Sequence, residues 1–446
     1  MMQAPSALPL QLMLAMLQSG ISPGGWPSSS APWQNSLHPF FPWMPKPKTP
    51  LEQGIDAAQN LWQNGLEQWQ SQSDAWLKSV SLQSAVQQKP NEKNSQPFAD
   101  FFDPEFITSL TQQASESSTA FLEGISAYVA SDYERPQRHY EVLWQRGSAQ
   151  LFDLAPERTE GLAVLCVPSL INRSTILDLY PGNSLVDYLA EQGFRPLLLD
   201  WGSPNADEQD FTTADYITSY AIDALHCLRE NHEGPIALVG YCMGGIFTTA
   251  MAQLAPLFAD ALVLLATPWD FAAKDTPRVL HDVPTQLMFR QWIAAQNPVP
   301  PMVTQTLFHL IDPWHVQRKY ARYPLLNPAE RQHFLAIEQW VNDGVPLPAR
   351  VAEECFIDWP QGNILAEHKW KVGRRWIEPA SITCPSIAFI PEHDLVVPKG
   401  CALPLTKVLK RCDVRYPKAG HVSMVAGKNA RAELWEPLAA WLTQKF

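Results

Sequence analysis

An α/β fold with a mostly parallel sheet is what this chain predicts, on three observations. From about residue 160 onward, short apolar runs alternate with amphipathic stretches, the mark of strands crossed over by helices. One such run, Ile236-Ala-Leu-Val, leads into Gly240-Tyr-Cys242-Met-Gly244-Gly245 and then into the apolar Ile246-Phe-Thr-Thr-Ala-Met-Ala. An acid and a histidine follow in that order, each after a later apolar run.

The box G-x-C-x-G between a strand and a helix is the sequence of a nucleophile elbow, with cysteine where serine usually stands. That makes the expected fold an α/β-hydrolase fold. The turn is tight, and Gly240 and Gly244 give room where a Cβ would clash. The helix that follows directs its first amides and its positive end at the sulfur, favouring thiolate over thiol. In this fold the chain order is nucleophile, acid, histidine. Ser386-Ile-Ala-Phe-Ile-Pro-Glu-His-Asp394 supplies a strand ending in an acid. Asp413-Val-Arg-Tyr-Pro-Lys-Ala-Gly420-His421 supplies a strand and a glycine-introduced loop ahead of a final helix, about 430–443. Of eleven histidines only His421 has that setting; His393 beside the acid reads as structural, and the rival acids Asp312 and Asp358 follow no credible strand. The expected triad is therefore Cys242, Asp394 and His421. The oxyanion hole would use the amide of Met243 and one from the loop around Leu170 or Ile171.

The bland reading of a free cysteine, a small buried hydrophobe, is kept for the other six of the seven. With no C-x-x-C pair, neither a disulfide framework nor a zinc site is expected. Net charge is −12 and no basic stripe occurs, which argues against a nucleic-acid surface. No apolar run reaches the roughly 18 residues of a membrane span. Leu8 to Leu17 is apolar but has no preceding Lys or Arg, unlike a signal peptide. A soluble, cytoplasmic protein is expected, and G-x-G-x-x-G and P-loop motifs are absent, so no cofactor and no metal is implied.

Three regions are expected. Residues 1–97 form an apolar, Pro- and Trp-rich extension; its first 45 residues carry no Asp, Glu, Lys or Arg. Ile55, Trp62, Trp69 and Trp76, each seven apart, with Leu66 and Val80, make an amphipathic stripe before a linker at Lys89–Pro97. The stripe reads either as a helix packed on its own domain or as a docking face for a partner subunit, a second copy or a hydrophobic granule. Residues 98–139 read as two helices, the second Ser118 to Ala130. The catalytic domain, 140–446, opens with a hairpin around Arg146-Gly-Ser, then the buried strand Leu162–Val167. A helix bearing Ile176 and Leu185 is expected next, followed by the strand Arg195–Leu199, a helix Thr213–Asn231, the elbow strand and helix, and the strand Ala261–Thr267. About 268–383 lack an obvious sheet strand, and so long a structureless loop would be implausible. A helical cap inserted between two core strands, covering the thiol, is expected there.

These residues resemble the polyhydroxyalkanoate synthases, from about residue 140 to the end. The resemblance rests on Pro168-Ser-Leu-Ile-Asn172, Ile176-Leu-Asp-Leu, Asn183-Ser-Leu-Val, Leu199-Asp-Trp201, the Gly240–Gly245 box, His393-Asp394-Leu-Val-Val-Pro398 and Gly420-His421. It implies that Cys242 carries the acyl chain, that Asp394 and His421 activate it, and that 3-hydroxyacyl groups move from coenzyme A thioesters to a hydroxyl of a growing polyester. Coenzyme A would enter only as part of the substrate. The family's cap motif W-N-x-D has its nearest counterpart here in Trp340-Val-Asn342-Asp343, displaced, which marks a divergent member.

A thiol nucleophile makes a second thioester from the first, so little transfer potential is lost before the acyl group meets a hydroxyl. The alternative is a hydrolase, a thioesterase or intracellular polyester depolymerase with a cysteine nucleophile. A catalytically idle granule component docking through the Trp stripe is a third reading. Homodimerisation through the cap stays open.

Overall fold

The computed structural model describes residues 119–312 and 315–446. The extension at 1–97, its Trp stripe and most of the 98–139 segment lie outside the described residues. The described residues fall into two units, 119–132 with 315–331, and 133–312 with 332–446. In the smaller unit, a helix over 119–129 meets the helix His315–Arg322. Gly124 permits that approach, because a Cβ there would sit 1.8 Å from the Tyr320 carbonyl. Tyr128 meets Tyr320 edge-on, with ring centroids 5.3 Å apart.

The larger unit is organised by a sheet. In chain order its strands are β1 (Glu141–Arg146), β2 (Ala149–Asp153), β3 (Ala163–Val167), the short pair β4 (Asp178–Tyr180) and β5 (Asn183–Ser184), β6 (Arg195–Asp200), β7 (Ile236–Tyr241) and β8 (Ala261–Leu265). A second short pair, β9 (Lys371–Val372) and β10 (Arg375–Trp376), precedes β11 (Ser386–Phe389) and β12 (Cys412–Arg415). Eight of them form one sheet in the order β1-β2-β6-β3-β7-β8-β11-β12. The β1–β2 hairpin enters antiparallel, and from β6 to β12 every neighbouring pair is parallel. Strands β3, β7 and β8 are buried along their whole length, as central parallel strands covered on both faces must be. Alternation sends Leu165 and Leu238 into one apolar cluster with Ile246 and Phe247, and Val164, Cys166 and Val239 into another with Leu438 and Leu442.

One expected element is corrected. The residues after β3 do not form a single helix carrying Ile176 and Leu185. A 3-10 turn, Ser174–Leu177, is followed by the β4–β5 pair, and the helix Leu185–Glu191 starts only then. Pro181 and Gly182 interrupt the apolar spacing, Gly182 adopting φ +90°. Ser184 then caps the new helix, accepting from the Asp187 N–H at 3.0 Å. Ile176 and Leu185 are nine apart, half a turn from a common helical face, so their spacing never required one continuous helix.

Between β8 and β11 no described residue joins the main sheet. The segment holds the helices Val283–Ala295, Pro301–Ile311, His315–Arg322, Pro328–Asn342 and Ala349–Glu353. It continues through a π-helical turn, Glu354–Asp358, and Trp359–Gly362. No helix among the described residues is long and apolar enough to cross a membrane.

One buried ion pair ties the hairpin to the parallel part of the sheet. Arg195 donates to Asp153 at 2.6 Å, and both side chains are almost fully buried. The guanidinium also donates to the Asn231 carbonyl, and the carboxylate accepts the Ala155 N–H. Removing one partner would strand the other charge in low dielectric. Asp153→Ala is therefore expected to destabilise the protein by about 3–5 kcal/mol, read as a lower urea midpoint.

Candidate active site

The sharp feature of the sheet's carboxyl edge is the junction after β7. Cys242 sits at φ 55°, ψ −125°, a left-handed conformation that a side chain bearing a Cβ adopts only under constraint. The constraint is visible: the Cys242 N–H bonds the Leu265 carbonyl at 2.8 Å, and its own carbonyl accepts the Gly245 N–H at 2.9 Å. The helix Met243–Leu254 begins at the next residue. Glycine is required on each side of the turn. A Cβ on Gly240 would lie 2.4 Å from the Gly245 Cα, and one on Gly244 would lie 2.0 Å from the Val167 carbonyl.

Asp394 and His421 meet as the sequence expects. Strand β11 delivers Asp394, which is buried, and its Oδ1 accepts the N–H groups of Val396 and Val397, both at 2.8 Å. Its Oδ2 is thereby aimed at His421 Nδ1, 2.7 Å away. Strand β12 and Gly420 deliver His421, which is the first residue of a short helix, His421–Ala426, and not part of a loop. Cys242 lies close enough to the imidazole to act on it electrostatically. Burial by itself would push the imidazole down. The charge of Asp394 and the thiol of Cys242 outweigh it, so His421 titrates well above the ordinary histidine range. His393 is exposed and bonded only through its backbone N–H to Ala419, while Asp358 lies exposed at the end of the π-helical turn.

The six remaining cysteines are unpaired like Cys242. Burial holds the thiols of Cys166, Cys401 and Cys412 up at about 12 and that of Cys384 at about 11. Cys355 is placed differently from the other buried thiols. It comes from the π-helical turn of the inserted segment, and its Sγ lies 3.2 Å from Met243 Sδ, directly over the first residue of the elbow helix.

The loop after β3 is braced from the same inserted segment. Leu170 and Ile171 are buried there. The Ile171 N–H is engaged by Ser169 Oγ at 3.2 Å, and its carbonyl accepts the Val345 N–H at 3.0 Å. Trp340 Nε1 donates to the Arg173 carbonyl at 2.8 Å, Asn172 forms a bridge with Gly344, and Arg173 approaches Asp343 at 3.6 Å. The Trp340-Val-Asn342-Asp343 stretch thus holds the loop opposite the elbow. No local pattern marks that role, since the partners are about 170 residues apart. Tyr241, inside the box, was also missed: its hydroxyl donates to the His421 carbonyl at 3.3 Å.

An elbow of this geometry at the carboxyl edge of a mostly parallel sheet agrees with comparison to known families. The chain belongs to the alpha/beta hydrolase fold family, whose model matches residues 163–427. Within it the chain is similar, as a divergent member, to poly(3-hydroxyalkanoate) polymerase subunits. It is 27% identical to the subunit PhaC of Haloferax mediterranei over 68% of this chain and 64% of that one. Identity is 25% with the subunit of Haloarcula marismortui, over 75% of this chain and 72% of that one. With the Synechocystis subunit it is 27%, over 68% and 84%. The chain thus spans just under two thirds of the Haloferax subunit's length.

Because folding raises the His421 pKa, the Asp394–His421 contact contributes stability that is fully present below the unfolded value, about 6.5. That contribution is lost as pH rises through the elevated folded value. Asp394→Asn is expected to destabilise most in mildly acidic buffer, with the gap from wild type narrowing towards alkaline pH. Denaturation midpoints of the two proteins across pH check this.

Proposed function

We propose that this protein is an acyltransferase of the polyhydroxyalkanoate synthase type, acting on 3-hydroxyacyl-coenzyme A. The observation that carries the proposal is Cys242 in the left-handed elbow, beside an imidazole that Asp394 holds by Nδ1. The similarity to polymerase subunits supplies the substrate class.

His421 takes the Cys242 proton as the sulfur attacks the thioester carbonyl. The tetrahedral oxyanion is met by the Met243 amide, whose position at the helix start leaves it without an intrahelical acceptor. Leu170 is the better second donor, since the Ile171 amide is already engaged. Collapse breaks the carbon–sulfur bond to coenzyme A, which leaves as a thiol with the proton from His421. A hydroxyl, at the end of a growing chain or on a second substrate, then gives its proton to His421 and attacks the acyl-cysteine, and the proton returns to the Cys242 sulfur. Asp394 keeps Nδ1 occupied throughout, so that Nε2 remains the working nitrogen.

The inserted segment supports transfer over hydrolysis. Cys355 and the Trp340–Gly344 brace put side chains of that segment directly against the elbow helix and the opposing loop, where a cap would exclude water. Hydrolysis of the acyl-cysteine is the second reading, favoured by the displaced Trp-Asn-Asp motif. A cytoplasmic location, at polyester granules or in solution, fits the proposed substrate, as does a partner subunit or a second copy docking through the Trp stripe.

The test is the fate of the acyl group when purified protein is given 3-hydroxybutyryl-coenzyme A. Chromatography and mass spectrometry should find oligomeric or polymeric ester; free 3-hydroxybutyrate as the sole product would make the protein a thioesterase. Cys242→Ala is expected to abolish acyl-enzyme formation, and Cys242→Ser to retain at most weak hydrolysis. Full turnover by Cys242→Ala would overturn the mechanism.

A further inference from the structure

We propose that Tyr241, the residue before the nucleophile, is a positioning residue that fixes His421 relative to Cys242. The inference rests on reading Cys242 and His421 as a nucleophile–base pair. Cys242 and His421 are 179 positions apart in sequence. The Asp394 contact fixes one ring nitrogen of His421, but a single hydrogen bond leaves the ring free to pivot about it. Tyr241 supplies two further restraints. Its hydroxyl donates to the His421 backbone carbonyl at 3.3 Å, joining the end of β7 to the first turn of the His421–Ala426 helix. Its ring faces the imidazole, with centroids 5.3 Å apart and planes 34° from parallel.

Tyr241 is only 2% exposed, so this pairing occurs where water does not compete. Burial, then the nearby Cys242 and Asp394, keep the phenol well above its ordinary range, and it stays a neutral donor through any working pH. When His421 carries the thiol proton, the face of the tyrosine ring lies against a cation, and that contact favours the imidazolium. The groups facing His421 are Asp394 from the loop after β11, Cys242 at the elbow and Tyr241 itself. Cys355 approaches Cys242 from the inserted segment. Asp394 provides charge and Tyr241 provides geometry together with a polarizable face. Tyr241 does not touch the reacting atoms, and its effect passes through His421.

The experiment reads the thiolate directly and needs no acyl substrate. Full-length wild type, Tyr241→Phe, Tyr241→Leu and Asp394→Asn are alkylated with iodoacetamide across pH, and the rate at Cys242 is followed by peptide mass spectrometry. The wild-type profile of alkylation rate against pH is the reference. Tyr241→Phe, which loses the hydroxyl tie, should raise the midpoint and slow alkylation at neutral pH by about fivefold, the weight of one hydrogen bond. Tyr241→Leu should raise it further, having lost the ring. Tyr241→Phe preserves the packing, so it decides the question even if the leucine variant does not fold. Tyrosine variants matching the wild-type midpoint while Asp394→Asn moves it would overturn the positioning role and leave the triad standing. A wild-type profile unmoved by Asp394→Asn would overturn the nucleophile–base reading and this inference with it.

Discussion

The left-handed backbone at Cys242 is the constraint on which the site depends. A non-glycine residue holds φ 55° only when its neighbours leave no alternative. Here the alternatives are removed by hydrogen bonds to β8 and to the elbow helix, and by glycines that admit the Val167 carbonyl and the Gly245 backbone at distances no Cβ would allow. The sheet therefore does more than support Cys242. Its central parallel strands, buried on both faces, are what make the strained turn cheaper than relaxing it.

From that fixed sulfur the rest of the site is a matter of convergence at one sheet edge. Strand β11 lies beside β8 and β12 beside β11, all parallel, so the loops that follow them open at the same edge as the elbow. Asp394 spends one oxygen on its own loop and one on His421, which sets the imidazole before any substrate is present. Such preorganisation would leave little rearrangement for a proton transfer to require. The inserted segment closes the other side through Cys355 and the Trp340 brace, placing sulfur and indole where an open hydrolase site would meet water.

Legibility in the sequence followed the range of the interaction. The elbow was readable because its requirements are local: a strand, two glycines, a nucleophile and a helix within about ten residues. Asp394 and His421 were readable because chain order in this fold restricts where they fall, and each stands just beyond a short apolar run. The failure between Ser174 and Leu185 was also local in origin. Ile176 and Leu185, nine apart, do not share a helical face, and Pro181 and Gly182 divide the segment into a 3-10 turn, a β pair and a capped helix.

The amino-acid sequence alone determined the α/β-hydrolase class, the strand–turn–helix elbow that carries Cys242, the order of Cys242, Asp394 and His421 along the chain, and the absence of an obvious main-sheet strand between β8 and β11. Each follows from periodicity or from steric demands confined to a few neighbouring residues. Only the tertiary structure decided that Ile171 has its amide already engaged, that Trp340 braces the opposing loop, that Cys355 sits against Met243, and that Tyr241 grips His421. Those contacts join residues that are mostly more than a hundred positions apart. No local pattern encodes such a meeting, because it exists only once the sheet has brought the strand ends together.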